Sequence, residues 1–466
     1  MALDPATFET LTPSRFITFT FPHPSSPNSL LRVAVFDSPI QAQPDDSPRV
    51  AAMFVPEHRD SDWIFSTETG HLQLLLSSPT ISRLILIGKN QPINTPSIYR
   101  RSISNDFNSL EVSLKPLLLA LSPKSLFKNG IPEIPILRYE NNVICSVVLE
   151  QCVGSFAGEM LVEDVEIESE VGECSKREFR RRLRFKRMPN LIQTEIRIVP
   201  EVGFGSASLG IGEVEFRPDI QVLVHPYLPP MVASLSLVPH CIETRIQGGF
   251  KPKALCVGVG GGALLAFLRA QLGFEVVGIE ADEEVLRVAR QYFGLLGNDS
   301  IRVIVGDAIN VMEKLAYHSN GDNLDSFGVH EENNGSYLYD VCDVNNKFDA
   351  IMVDLDSSDA KNGTSAPPLE FVRKNVLLAA KVVLCDFGIL AINVIPPNRS
   401  FYDKLIHDFR EVFHELYEID VGNGENFVLV ATMSPTMSSI SDSENSFLTR
   451  LRMVISGAYM DSIRKI

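Results

Sequence analysis

Apolar positions follow different periods in the two halves of the chain. Between residues 253 and 432, short and almost continuously apolar runs alternate with stretches whose apolar residues recur three and four apart, the pattern of buried parallel strands joined by helices. The runs are Ala254-Leu-Cys-Val, Val276-Val-Gly-Ile-Glu280, Ile301-Arg-Val-Ile-Val and Phe348-Asp-Ala-Ile-Met-Val-Asp354. Asp282 is placed to cap a helix with Val285, Val288, Ala289 and Tyr292 on one face, stopped near Gly294. Two further runs, Leu416-Tyr-Glu-Ile-Asp-Val421 and Asn426-Phe-Val-Leu-Val-Ala-Thr432, flank Gly422-Asn-Gly-Glu and predict a terminal hairpin with a four-residue loop. Upstream the period is closer to two. Met53-Phe-Val-Pro and Leu84-Ile-Leu-Ile-Gly bracket a helix near residues 69–76, and a second helix is predicted around Leu110. Strands follow at Ile144-Cys-Ser-Val-Val-Leu, Gly158-Glu-Met-Leu-Val, 179–186 and 191–198, the last two joined by the turn Arg187-Met-Pro-Asn. The chain therefore divides into a β-rich α+β region, residues 1–205, and an α/β domain, residues 206–466. The polar stretch 317–346 is expected to be a disordered insertion, and a last helix is predicted from near Phe447.

The first α/β run enters a glycine-rich turn, Val257-Gly-Val-Gly-Gly-Gly-Ala263, and the second ends in an acid, Glu280. In open α/β sheets such glycines let the backbone approach a cofactor, and such an acid holds a ribose. Gly258, Gly260 and Ala263 also satisfy the dinucleotide pattern G-x-G-x-x-G/A, so the turn by itself leaves nicotinamide binding open. The terminal antiparallel hairpin resembles class I S-adenosylmethionine methyltransferases instead. On that reading Gly258, Gly260 and Gly262 line the cofactor, Glu280 binds its ribose, and Asp307 with Ala308 lies at the adenine side. Asp354 and Asp356, at the end of the fourth run, are the candidate catalytic carboxylates, with Asp359 as a rival. Each has a plainer alternative: a helix N-cap for Asp307, a turn former for Asp354.

Composition narrows the class. Among 466 residues the net charge is −16, which disfavours a nucleic-acid substrate and favours a basic partner. The stretch Lys176-Arg-Glu-Phe-Arg-Arg-Arg-Leu-Arg-Phe-Lys-Arg187 is a local exception, read as a strand with Leu183 and Phe185 inward and Arg182, Arg184 and Lys186 in solvent; an RNA or protein docking stripe is the alternative. No apolar run reaches 18 residues and no secretory leader is evident, so a cytoplasmic protein off the membrane is expected. The seven cysteines form no CxxC pair, so neither a metal nor a disulfide framework is predicted. Cys145, Cys256 and Cys385 read as core thiols, and Trp63 as a core or interface anchor.

The order of a β-hairpin region, a tyrosine-containing helix and a glycine-rich sheet resembles the spermidine synthase type of this fold. A closer likeness extends along nearly the whole chain. Val55-Pro-Glu-His-Arg-Asp-Ser-Asp-Trp63-Ile-Phe, Val162-Glu-Asp-Val, Phe179-Arg-Arg-Arg-Leu-Arg-Phe, Asn190-Leu-Ile-Gln-Thr-Glu and Asp354-Leu-Asp-Ser-Ser-Asp-Ala-Lys-Asn-Gly-Thr-Ser-Ala-Pro-Pro368 resemble the carboxyl-terminal half of the methyltransferase-like protein 13 family. That resemblance implies a seven-stranded, mostly parallel Rossmann-like sheet, S-adenosylmethionine as cofactor and a protein substrate. The substrate it implies is translation elongation factor 1-alpha, methylated at its α-amine rather than at a lysine. It also implies that Gln193 and Tyr227 cover the cofactor's methionine end, and fold analogy suggests a homodimer. Polyamine synthases of the same fold carry an acid where Gly261 stands and a Tyr-x-Glu where Pro230 precedes Met231. Aminopropyl transfer is therefore the weaker enzyme reading. A non-catalytic interaction protein working through residues 1–205 is the remaining alternative.

Overall fold

A computed structural model of the chain describes residues 4–40, 48–78, 80–90, 98–101, 108–171, 174–201, 210–297, 300–319, 347–359, 361–422, 424–436 and 445–466. It forms two compact units. The first takes in residues 1–151, 161–192 and 204–214, the second 152–160, 193–203 and 215–466.

In the first unit, five strands lie in the order Phe16–His23, Ser26–Asp37, Arg83–Lys89, Val50–Phe54 and Ile136–Leu137. Val50–Phe54 runs parallel to Arg83–Lys89, and the helix Glu68–Leu76 lies between them in sequence, as the change from period two to period 3.6 predicts. The helix Asn108–Ala120 buries Leu114 and Leu118, one turn apart, in a cluster with Val33, Val35, Ile85 and Ile87. Inside this unit sits a fully buried arginine. Arg83 donates from Nε to Asp37 Oδ1 at 2.5 Å and from Nη2 to Asp37 Oδ2 at 3.0 Å. Its Nη1 donates to the carbonyls of Phe8 and Leu121 at 2.8 and 2.7 Å. One cation thus ties together the amino-terminal turn, a strand and a helix end. Arg83→Leu leaves the buried Asp37 with Arg15, at 2.9 Å, as its remaining ion pair, and should cost about 3 kcal/mol, the low end for a broken buried pair, read as a lowered urea midpoint.

The basic stripe departs from expectation. Leu183 and Phe185 are inward, but so is Arg184, 5% exposed, between Asp62 (3.2 Å) and Glu163 (2.8 Å). Arg181 is buried against Asp164 at 2.6 Å. Both faces of this strand are covered, and acids from its neighbours neutralise it, so these two arginines are structural and offer nothing to a docking partner.

The second unit is built on β1 (Lys253–Val257), β2 (Glu275–Glu280), β3 (Ile301–Val305), β4 (Phe348–Val353), β5 (Leu384–Val394), β6 (Glu415–Asp420), β7 (Phe427–Thr432) and β8 (Arg464–Lys465). Their order is β3-β2-β1-β4-β5-β7-β6-β8. β1 to β5 are parallel to one another, and β7 inserts antiparallel between β5 and β6. This is the Rossmann-like class I methyltransferase arrangement, its seven expected strands extended by a two-residue edge strand, β8, antiparallel to β6. The hairpin closes with Val421 N donating to Asn426 O at 3.0 Å.

Alternate residues of each strand point to opposite faces, which accounts for the unbroken apolar runs. Ala254, Cys256, Val276, Ala350 and Met352 meet helices α1 (Ala263–Leu272), α2 (Glu283–Tyr292) and α6 (Ser446–Val454). Leu255, Val257, Val277, Ile351 and Val353 meet α3 (Ala308–Ser319), α4 (Lys374–Val383) and α5 (Arg399–Val412). Asp282 caps α2 through Glu284 N. The insertion expected over 317–346 lies outside the described residues beyond Ser319, where α3 ends. Among the described residues no helix is long and apolar enough to cross a membrane.

Candidate functional site

Strand order reverses between β1 and β4, the place where open α/β sheets bind ligands at their carboxyl ends. The glycine turn follows β1 there. Gly258 has φ +86°, and a Cβ on it would lie 2.1 Å from the Asp354 carbonyl oxygen, so the two strand ends meet only because residue 258 has no side chain. Gly258→Ala should therefore cost more than the roughly 1–2 kcal/mol of a left-handed alanine alone and weaken any ligand held at this turn, as thermal melts and titration would show. Gly260 and Gly262 also take positive φ, 52° and 80°. Gly261 N donates to Thr194 Oγ1 at 2.9 Å, and a Cβ on Gly261 would meet Thr194 Cγ2 at 2.5 Å.

Glu280 closes β2 beneath this turn. Its Oε2 accepts from Val259 N at 3.2 Å and Gly260 N at 3.1 Å, and its Oε1 from Asp282 N at 3.1 Å. Burial raises its pKa, while the backbone donors act in the opposite direction. A carboxylate has about four acceptor positions, so three N–H groups orient it and leave capacity for a hydroxyl.

The end of β4 carries the second cluster. Asp354 Oδ2 accepts from the Tyr227 hydroxyl at 2.9 Å, and its Oδ1 faces Asn393 Nδ2 at 3.5 Å. Desolvation, and secondarily the Asp356 charge, push its pKa up to about 7 against the opposing hydrogen bonds from Tyr227 and Asn393. The Tyr227 phenol is held well above its ordinary range by burial and by Asp354. Asp356 Oδ2 accepts from Gln193 Nε2 at 3.4 Å. Asp359 does something else: it accepts from Lys361 N and Asn362 N at 2.7 and 2.8 Å and shapes a turn.

Of the residues predicted from sequence, Gly258, Gly260 and Gly262 lie in one turn that Glu280 holds through Gly260 N, and Asp354, Asp356, Tyr227 and Gln193 lie around the end of β4. Asp307 and Ala308 stand one strand further out, where α3 begins; Asp307 is exposed and caps α3 through Asn310 N at 2.9 Å. Two residues escaped the sequence reading. Asn393 is 4% exposed in an apolar strand, and its Oδ1 has no partner among the described residues. Thr194 is 7% exposed and holds the glycine turn. A lone amide near the carboxyl end of the apolar run Gly388-Ile-Leu-Ala-Ile-Asn-Val394 was the available signal for the first. For the second it was a threonine in phase with Ile196 and Ile198.

No protein-family model matches the chain. It is 26% identical over 415 residues to the eEF1A lysine and N-terminal methyltransferase of Xenopus laevis, covering 85% of this chain and 52% of that protein. The Homo sapiens protein of that name is 24% identical over 423 residues, covering 86% and 53%. The Drosophila melanogaster homolog is 24% identical over 369 residues, covering 78% and 46%. The chain spans about half the length of these curated relatives. Among solved structures, human methyltransferase-like protein 13 in complex with SAH aligns with a TM-score of 0.39 and 23% identity, covering 50% of this chain and 92% of that one. A probable spermidine synthase from Corynebacterium glutamicum aligns with a TM-score of 0.39 and 14% identity, covering 68% and 89%. The chain is similar to the eEF1A lysine and N-terminal methyltransferases over about half of their length.

Proposed function

We propose that this chain is an S-adenosylmethionine-dependent protein methyltransferase that acts on the N-terminal α-amine of translation elongation factor 1-alpha, in the cytoplasm. The observation that carries the reading is the pairing of two acidic clusters across the strand-order reversal. Glu280 lies under the glycine turn, and Asp354 stands beside a buried Asn393 oxygen that lacks a donor. That acceptor fits an ammonium or amine N–H, and Glu280 fits a ribose hydroxyl, so the chain's donor and acceptor set suits this cofactor. When bound, the cofactor supplies a sulfonium methyl group. The residues that would hold it are the turn at 258–262, Glu280, Gln193, and Asp307 with Ala308.

Methyl transfer to nitrogen needs an aligned, neutral amine. Asp354 and Asn393 Oδ1 are placed to accept its hydrogens, with Tyr227 fixing the carboxyl through its hydroxyl. Relative acidities favour an α-amine. An α-ammonium of pKa near 8 lies roughly one unit above Asp354, so passing its proton costs ~1.4 kcal/mol; for lysine, near 10.4, the gap is over three units and ~4.6 kcal/mol. The space at Gly261 opposes aminopropyl transfer: a side chain there meets Thr194 and the Phe293 ring, which leaves no room for an amine-binding acid.

Intact-mass measurement on elongation factor 1-alpha with a free amino terminus, incubated with this chain and S-adenosylmethionine, tests the reading. Stepwise methyl gains that vanish when the terminus is blocked are expected. Gains that survive the block would move the target to a side chain. Absence of gain despite measured cofactor binding would remove the substrate from the reading.

A further inference from the structure

The amino edge of the sheet in the second unit, opposite the edge that carries Asp354, holds a group of side chains that methyl transfer does not use. Cys241, on the helix Pro239–Gln247, and Cys385, near the start of β5, lie with Asp349 so that their sulfurs and a carboxylate oxygen are all within 4.8 Å of one another. Cys385 was expected to be a core thiol like Cys145 and Cys256. Those two are buried, but Cys241 and Cys385 are each only half-buried. A cavity of about 40 Å³ opens beside Cys241, walled in part by Phe387 and Pro435.

We infer that Cys241 and Cys385 are a thiol–disulfide exchange site, oxidised to an intramolecular disulfide by small disulfides of the glutathione class. Asp349 argues for this over a metal. Its Oδ1 is committed to Arg245 at 2.8 Å and its Oδ2 to Lys253 N at 2.7 Å, so it has little left for an ion, and the guanidinium repels one. The two thiols are unequal, as exchange requires. A hydrogen bond from Cys385, with help from Arg245 one helical turn along, lowers the pKa of Cys241. Cys385 is held high by that same bond and by burial, and its Sγ lies 3.6 Å from Asp349 Oδ1.

Cys241, as thiolate after losing its proton to solvent, attacks one sulfur of oxidised glutathione. One glutathione leaves as thiolate, and Cys241 carries the other as a mixed disulfide. Cys385 then loses its proton and attacks Cys241 Sγ, expelling the second glutathione. Two protein thiols are oxidised, one glutathione disulfide is reduced to two thiols, and the two protons end on the glutathiones.

The full chain, treated with oxidised glutathione, alkylated and digested without reductant, should yield the Cys241 peptide joined to the Cys385 peptide, with two hydrogens lost, and reductant should separate them. Cys385→Ser should trap glutathione on Cys241, whereas Cys241→Ser should leave Cys385 unmodified. Independent adducts on the two cysteines, or cross-links confined to Cys152, Cys174 and Cys342, would overturn the assignment. So would zinc that co-purifies with the chain and is lost in both serine variants.

Discussion

Asp354→Asn is expected to lower methyl transfer ~10²–10⁴-fold, the range of a positioned acid–base group, with little change in cofactor affinity. Two further readouts separate this from a merely structural role. The first is the pH profile. Asp354 ionises at about 7 and the amine near 8, so the wild-type rate should climb through both ionisations as pH rises. The variant should keep only the upper one. The second readout is stability. A carboxyl whose pKa rises on folding contributes stability that is complete below its unfolded value, 3.8, and is lost as pH rises through about 7. Above that pH the folded chain carries a poorly solvated charge that asparagine lacks. At pH 8 the variant should therefore melt above wild type while turning over far less. If it melts lower and transfers methyl groups at the wild-type rate, Asp354 is a turn former and the proposed chemistry fails. Asn393→Ala, which removes the unpartnered oxygen and not the charge, should lower the rate with the lower ionisation still in place.

The sheet was legible because its strands are buried on both faces and therefore read as short apolar runs, with a capping Asp282 and a glycine turn marking where helices begin. Glu280 and Asp354 were legible for a related reason: a carboxylate at the end of such a run has no apolar role there. The residues that escaped depend on partners distant in sequence. Arg184 is buried because Asp62 and Glu163 neutralise it, and one strand's alternation cannot reveal an acid some 120 positions away. Cys385 gains its character from Cys241, which a search for short cysteine spacings passes over. Asn393 is conspicuous within its strand, yet its meaning comes only from Asp354 across the strand pairing of β4 and β5.

Glu280→Ala should weaken S-adenosylmethionine binding ~10–10²-fold by calorimetry, the loss of one hydrogen bond to a charged acceptor at roughly 1.5–3 kcal/mol. The same oxygens hold the backbone of Val259, Gly260 and Asp282, so the alanine variant also loosens the turn and its melting point should fall. Glu280→Gln separates the two effects. Its single carbonyl oxygen can still accept from the turn, so it should melt close to wild type. It has lost the charge and one acceptor, however, and should bind the cofactor less tightly than wild type and more tightly than alanine. Acidity supplies an independent check. Burial raises the Glu280 pKa, so the carboxylate should become protonated, exchanging an acceptor for a donor, at a higher pH than an ordinary glutamate. Wild-type affinity should then fall on acidification, and the glutamine variant should show no such fall over the same range. Unchanged affinity in the alanine variant would mean that Glu280 serves only the turn, and that the carboxyl edge of this sheet holds its ligand by other groups.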